Sequence, residues 1–165
     1  MLTKSLFPSA QVLLSDVDSA ALSLASENSQ VHPVDGIVQG DLLSWCGSSC
    51  VDIIIANPPY VDLDDMRGLP AEYRHEPRLA LAGGEDGLDL VRVLIRDAAR
   101  ILHPTGLLIV EVGNSFEALD DFSEQLRPTW VELEQGGHGV AIFMGQDLAQ
   151  CVTSEYTAKS VVSVK

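Results

Sequence analysis

The chain has 165 residues, 46% of them hydrophobic and 21% charged, which suits one soluble domain able to bury a core. No apolar run approaches the roughly 20 residues needed to cross a bilayer, and the apolar part of Met1–Pro8 is too short for a signal peptide, so a cytoplasmic protein is expected. The formal charge is −14, from 10 basic and 24 acidic residues; with no basic patch to offset it, this charge argues against binding phosphate backbones and favours a basic protein partner.

Along the chain, Gln11–Asp16 is predicted to be a strand ending in a carboxylate. Ser19–Asn28 follows as a helix whose Ala21, Leu22, Leu24 and Ala25 form an apolar side, with Asp18 or Ser19 as N-cap. Gly36–Gln39 is a short strand closed by Gly40-Asp41. A polar loop then leads into Val51–Ala56, a run with four β-branched residues that reads as a strand buried on both faces. Residues 60–85 contain Pro70, Pro77 and Gly83-Gly84 and show little periodicity. They are too apolar for disorder and are expected to form a structured lid.

Asp86 is placed as the N-cap of the strongest helix, with Asp89 as its box-like partner. Leu88, Val91, Leu94, Ile95, Ala98, Ile101 and Leu102 recur there at three- and four-residue spacing, and Pro104-Thr105-Gly106 ends the helix. Leu107–Val112 is another buried strand, interrupted by Glu111. Ser115 caps a helix running to about Leu126. Trp130–Leu133 and Val140–Met144 form a hairpin across Gly136-Gly137-His138-Gly139. This alternation predicts an α/β fold, with a mostly parallel sheet, helices on both faces and an antiparallel hairpin at the end. Residues 1–146 are expected to form the domain, and 147–165 a weakly structured tail. Cys46, Cys50 and Cys151 have no metal-binding spacing and the four histidines are scattered, so free thiols and no metal are expected.

The sharpest local signal is Asn57-Pro58-Pro59-Tyr60, directly after the Val51–Ala56 run. Proline lacks an N–H and pushes the residue before it towards an extended backbone. Asn57 is therefore the last extended residue, held at the carboxyl end of a strand, where open α/β sheets bind ligands. An amide nitrogen is a poor nucleophile because its lone pair is delocalised. Acceptors for its N–H groups fix the nitrogen and stabilise the positive charge that grows on it. The Asn57 carboxamide oxygen and a backbone carbonyl of the Pro58-Pro59 turn can supply two such acceptors, and Tyr60 offers a flat ring to a planar group.

This motif resembles the [Asn/Asp]-Pro-Pro-[Tyr/Phe/Trp] signature of S-adenosylmethionine-dependent amino-methyltransferases, which act on nucleobase amino groups or on the glutamine amide of proteins. Glu72-Tyr73-Arg74-His75-Glu76-Pro77 and Ala80-Leu81-Ala82-Gly83-Gly84-Glu85-Asp86-Gly87-Leu88 are similar to the HemK-type protein-glutamine methyltransferase family. Glu111-Val112-Gly113-Asn114 and Gly136–Val140 resemble its branch acting on a glutamine of a large-subunit ribosomal protein. The branch acting on peptide release factors is less similar in the lid. The resemblance, from about Gln11 to Gly145, implies a Rossmann-like class I methyltransferase fold, S-adenosyl-L-methionine as cofactor and a basic ribosomal protein as partner.

By the same resemblance, Asn57 and Pro58 hold the glutamine amide, Pro59 and Tyr60 complete the substrate slot, and Asn57 also borders the cofactor. Asp16 matches the acid that binds the cofactor ribose, as befits a carboxylate facing a cis-diol; Asp18 is its rival. Asp41 stands at the adenine-side position. The family's first strand, with its acidic-x-x-x-Gly-x-Gly loop, has no counterpart here, since the first glycine is Gly36. In the family that strand lies between those ending at Asp16 and Asn57. The chain alone is therefore expected to fold poorly and to bind the cofactor more weakly than about 1 mM. A nucleic-acid amino-methyltransferase and a fragment without cofactor binding stay open as alternatives.

Overall fold

The computed structural model describes residues 4, 7–48, 51–60, 83–84, 86–122, 126–132 and 139–151. They fall into two compact units, Met1–Cys46 and Gly47–Lys165, each with its own sheet.

In the first unit, β1 (Leu13–Asp16) and β2 (Gly36–Gln39) pair in parallel, from Leu13 opposite Gly36 to Asp16 opposite Gln39. Helix α1 (Ser19–Ser29) connects them. Of the two candidate caps, Asp18 takes the role, its Oδ1 accepting the Ala20 N–H at 2.9 Å. Asp35 ties the turn into β2 to the start of β1 by accepting from Val12 N at 2.7 Å and from Lys4 Nζ at 2.6 Å. The Lys4 hydrogen bond, more than any other cause, holds the Asp35 carboxyl below the usual range. Among the described residues no hydrophobic side chain of this unit is buried, and Leu24 on the expected apolar side of α1 is 59% exposed.

The second unit contains the core. Its strands are β3 (Val51–Ala56), β4 (Leu102–Glu111), β5 (Thr129–Trp130) and β6 (Val140–Met144), in the order β3-β4-β6-β5. β3 is parallel to β4, and β6 is antiparallel to both β4 and β5, so the sheet is mixed. Register places Ile54 opposite Leu108, Leu108 opposite Phe143 and Val110 opposite Ala141. All five are buried, as are Val91, Leu94, Ile95, Ala98 and Ile101 along α2 (Asp89–Ile101), which packs on β4.

The structure corrects several expectations. Val51–Ala56 is not buried on both faces. Ile54 is covered, but Ile53 and Ile55, on the opposite face, are 48% and 64% exposed; a short apolar run does not distinguish a strand covered on two faces from one covered on a single face. Asp86 does not cap the strong helix either. Gly87 has φ +77°, which no right-handed helix can contain, so α2 starts at Asp89, with Leu88 at the N-cap and no side-chain cap bond. Asp86 instead accepts from Leu88 N at 3.1 Å and pairs with both Arg92 Nη atoms, which lowers its pKa.

β4 starts at Leu102 rather than Leu107. Its register against β3 shifts between Val51 and Ile53, where Pro104 cannot donate to a ladder. A 3₁₀ turn, Gly113–Ser115, precedes the short helix α3 (Phe116–Phe122). Residues 145–151 form a further helix, α4, with Leu148 and Cys151 buried, where a weak tail was expected from Gln146. Two anchors three residues apart are too few to register as periodicity. Residues 61–82 and 85 of the expected lid, the hairpin loop 133–138 and residues 152–165 lie outside the described residues.

The core is one-sided, so the expected folding deficit falls on the first unit. Leu108→Ala should cost about 2–5 kcal/mol, and Leu24→Ala no more than about 0.5 kcal/mol. Each unit holds one tryptophan, Trp45 or Trp130, so urea unfolding of single-tryptophan variants reads them separately. The Trp45 transition should come first. Equal costs for the two leucines would refute this division.

Asp86 allows a pH test. Its folded pKa lies below the unfolded value of about 3.9, so its stabilisation is complete above that value and is lost as pH falls through the folded pKa. The paired side chains are 36% and 40% exposed, which limits the effect to about 1 kcal/mol or less. Wild type and Asp86→Asn should differ in Tm at pH 7, and the gap should narrow as pH falls below about 3.9; a gap that stays constant through the acid range would exclude the linkage.

Candidate active site

β3 delivers its last residues to the carboxyl end of a parallel pair. There the ladder stops at Ala56, which pairs with Val110. Asn57 follows with its side chain exposed, Pro58 is buried, and Pro59 and Tyr60 are half-buried. The amide is thus presented outward while the first proline anchors the turn beneath it.

Tyr60 is held by segments distant in sequence. Ser115 Oγ donates to the Tyr60 carbonyl at 3.1 Å. Gly113, at φ +48°, lies against the Tyr60 ring, and any Cβ there would collide with it. A Cβ on Gly87 would collide with both Ser115 Oγ and the Tyr60 carbonyl, and one on Gly83 would come within 2.8 Å of Tyr60 Cα. The Gly83 carbonyl in turn accepts the Asp89 N–H at 2.9 Å, tying this segment to the start of α2.

The candidate cofactor acids stand in the other unit, at the carboxyl ends of β1 and β2. Asp16 is exposed; its Oδ1 accepts from Asp18 N at 2.8 Å, and Oδ2 has no hydrogen-bond partner among the described residues. Its carbonyl accepts the Gly40 N–H at 3.0 Å. Asp41, also exposed, opens a turn in which its carbonyl accepts from Ser44 N at 3.0 Å and the Leu42 carbonyl from Trp45 Nε1 at 3.0 Å. Asp18, the rival for the ribose, is engaged in capping α1. Arg74, His75, Glu76 and His138 lie outside the described residues.

Sequence reasoning missed the residues around Tyr60. It took Ser115 for a helix cap, but the hydroxyl donates to a carbonyl 55 residues away. The available signal was the spacing of Gly113 and Ser115 just beyond the second buried strand.

No family model matches the chain. The ribosomal protein uL3 glutamine methyltransferase of Francisella tularensis subsp. tularensis is 36% identical over 149 residues, covering 88% of this chain and 48% of the relative. Its counterpart in Bradyrhizobium diazoefficiens is 41% identical over 145 residues, covering 86% and 46%. The one in Bordetella pertussis is 37% identical over 145 residues, covering 86% and 49%. The chain therefore spans about half the length of these curated relatives. A methyltransferase from Pyrococcus furiosus superposes with a TM-score of 0.61 over 87% of this chain and 67% of that one, at 18% identity, a likeness of fold alone. The fold is α/β and resembles methyltransferase structures. By sequence, the chain is related to the ribosomal protein uL3 glutamine methyltransferases.

Proposed function

We propose that this chain is the catalytic portion of a protein-glutamine methyltransferase that transfers a methyl group from S-adenosyl-L-methionine to the side-chain amide nitrogen of a glutamine in ribosomal protein uL3. The observation that carries this reading is the exposed Asn57 carboxamide held over a buried Pro58 at the carboxyl end of β3.

In this reading the Asn57 oxygen and the Pro58 carbonyl accept the two N–H groups of the glutamine amide, and the Tyr60 ring lines the slot with Pro59. These acceptors orient the nitrogen and favour the charge that develops on it during attack. The cofactor supplies a sulfonium-activated methyl group; no metal is needed for that step. Asp16 is a fitting ribose ligand because its carboxylate is exposed at a strand end with one oxygen unengaged among the described residues. Asp41 takes the adenine side. The substrate in this reading is a basic ribosomal protein, which the net charge of −14 attracts.

The finer fold proposal is a Rossmann-like class I sheet that requires one more strand, with its glycine loop. β1 and β3 each have a ladder partner on one side only among the described residues, which supports it. Such a loop lets backbone N–H groups approach the cofactor, so its loss weakens binding rather than the Asn57 chemistry.

Joined to the remaining half of the Bradyrhizobium relative, the chain should label uL3 from methyl-tritiated cofactor, but not uL3 lacking the target glutamine. Labelling of a release factor alone would move the assignment to that substrate, and labelling of neither would leave a non-catalytic fragment. In the joined protein, Asn57→Ala should lower turnover about 10²-fold or more with cofactor affinity nearly unchanged in calorimetry. Collapse of that affinity with intact single-turnover chemistry would refute the role given to Asn57.

The nucleic-acid alternative is tested by electrophoretic shift. The chain should bind no DNA or RNA duplex at about 0.15 M salt. Micromolar duplex binding would overturn a protein substrate.

A further inference from the structure

Two consecutive prolines make the motif difficult to hold. Neither Pro58 nor Pro59 has an N–H, so the turn cannot be fixed by its own donors. The Tyr60 carbonyl and ring are two further points of attachment, and both are engaged. Ser115, the one buried polar side chain among the described residues, at 6% exposure, donates to the carbonyl. Gly113 lies against the ring with no room for a Cβ, at a φ of +48° that L side chains rarely adopt. Behind it, Gly139 packs on the Gly113 backbone, and its carbonyl accepts the Val112 N–H at 2.7 Å. Gly87 lies against this hydrogen bond, where a Cβ would collide with both the Ser115 hydroxyl and the Tyr60 carbonyl.

We infer that Ser115 and Gly113 are positioning residues that set the Asn57 carboxamide through Tyr60, with Gly87 and Gly139 as the spaces that let them close on it. The inference deepens the reading of Asn57 as the amide-holding residue and rests on it. Ser115 and Gly113 touch neither reacting atom. They act by removing the freedom of a turn three residues long, and small displacements at such a turn strongly affect reaction geometry.

The test is nuclear magnetic resonance on the 165-residue chain with labelled Asn and Tyr, which needs no activity. If the joined enzyme fails to label uL3, the functional proposal falls while this one is still decided. Wild type should show Overhauser contacts between the Gly113 α-protons and the Tyr60 ring. Ser115→Ala should shift the Tyr60 carbonyl carbon towards its unbonded position and displace the Asn57 side-chain amide signals. Gly113→Ala should displace the Tyr60 ring and the same Asn57 signals. Leu148→Ala, a core truncation elsewhere in the second unit, should lower the Tm and leave the Asn57 signals in place. Unmoved Asn57 signals in both site variants, or equal movement in Leu148→Ala, would overturn the inference. If Ser115→Ala fails to fold, Gly113→Ala and the wild-type contacts decide, and absence of those contacts is sufficient to reject it.

Discussion

A strand that ends in two prolines cannot secure its own end, and the candidate site depends on how that problem is solved. β3 pairs with β4 as far as Ala56, after which Pro58 and Pro59 offer no donors. The same prolines keep Asn57 extended and its side chain exposed, which gives a carboxamide access to a substrate. What the turn lacks in hydrogen bonds of its own is replaced by burial of Pro58 and by the Ser115 donation to Tyr60. The glycines around Tyr60 follow from this arrangement: where a backbone turn is held by close packing rather than by a ladder, its neighbours must lack side chains.

The same requirement explains where the rigidity lies. α2 and α3 flank β4 in sequence, and the buried side chains of α2, β4 and β6 fill one side of the second sheet. Gly83, Gly87, Gly113 and Ser115 are all within a few residues of the ends of these elements, so the groups around Tyr60 inherit their order from the core. Among the described residues the first unit has no comparable support. Its parallel pair is registered by backbone bonds and by Asp35, and its helix is capped by Asp18, both at the surface. Contributions of that kind are small beside buried apolar area. The proposed ribose ligand Asp16 is only as well placed as this unit is ordered, so in that proposal cofactor affinity is more vulnerable than acceptor geometry.

Much of this was legible in the sequence where chemistry is local. Gly36–Gln39, Val51–Ala56 and Val140–Met144 have the observed strand limits because β-branched runs are closed there by glycine, proline or a polar residue. Asp18 as the cap of α1 was among the alternatives for the same reason. What was missed depends on partners distant in the chain or on backbone handedness. Periodicity assigned Asp86 to a helix start because it does not register the positive φ of Gly87. Exposure of Ile53 and Ile55 follows from the sheet face they share with Leu107 and Ile109, which is less covered than the face of Ile54 and Leu108, and a six-residue run does not encode that. Ser115 has the composition of a cap, and only the return of the chain past Tyr60 gives its hydroxyl another partner.

Charge and site geometry divide the work of recognition. A net charge of −14 acts over distances of about a Debye length, some 8 Å at physiological salt, and raises encounter rates with a basic protein without choosing a residue on it. In the proposed function, the choice of a primary amide is made at much shorter range, by two acceptors and a ring that a carboxylate or an ammonium group would satisfy poorly. An ammonium presents a full charge with three donors, and a carboxylate presents none. In the proposed reading, a primary amide meets Asn57 and the Pro58 carbonyl with two coplanar N–H groups and offers a flat face to Tyr60. In that reading, selection of a glutamine nitrogen over a charged group depends on the planarity of this slot, and that planarity is set by whatever holds the Tyr60 ring in place.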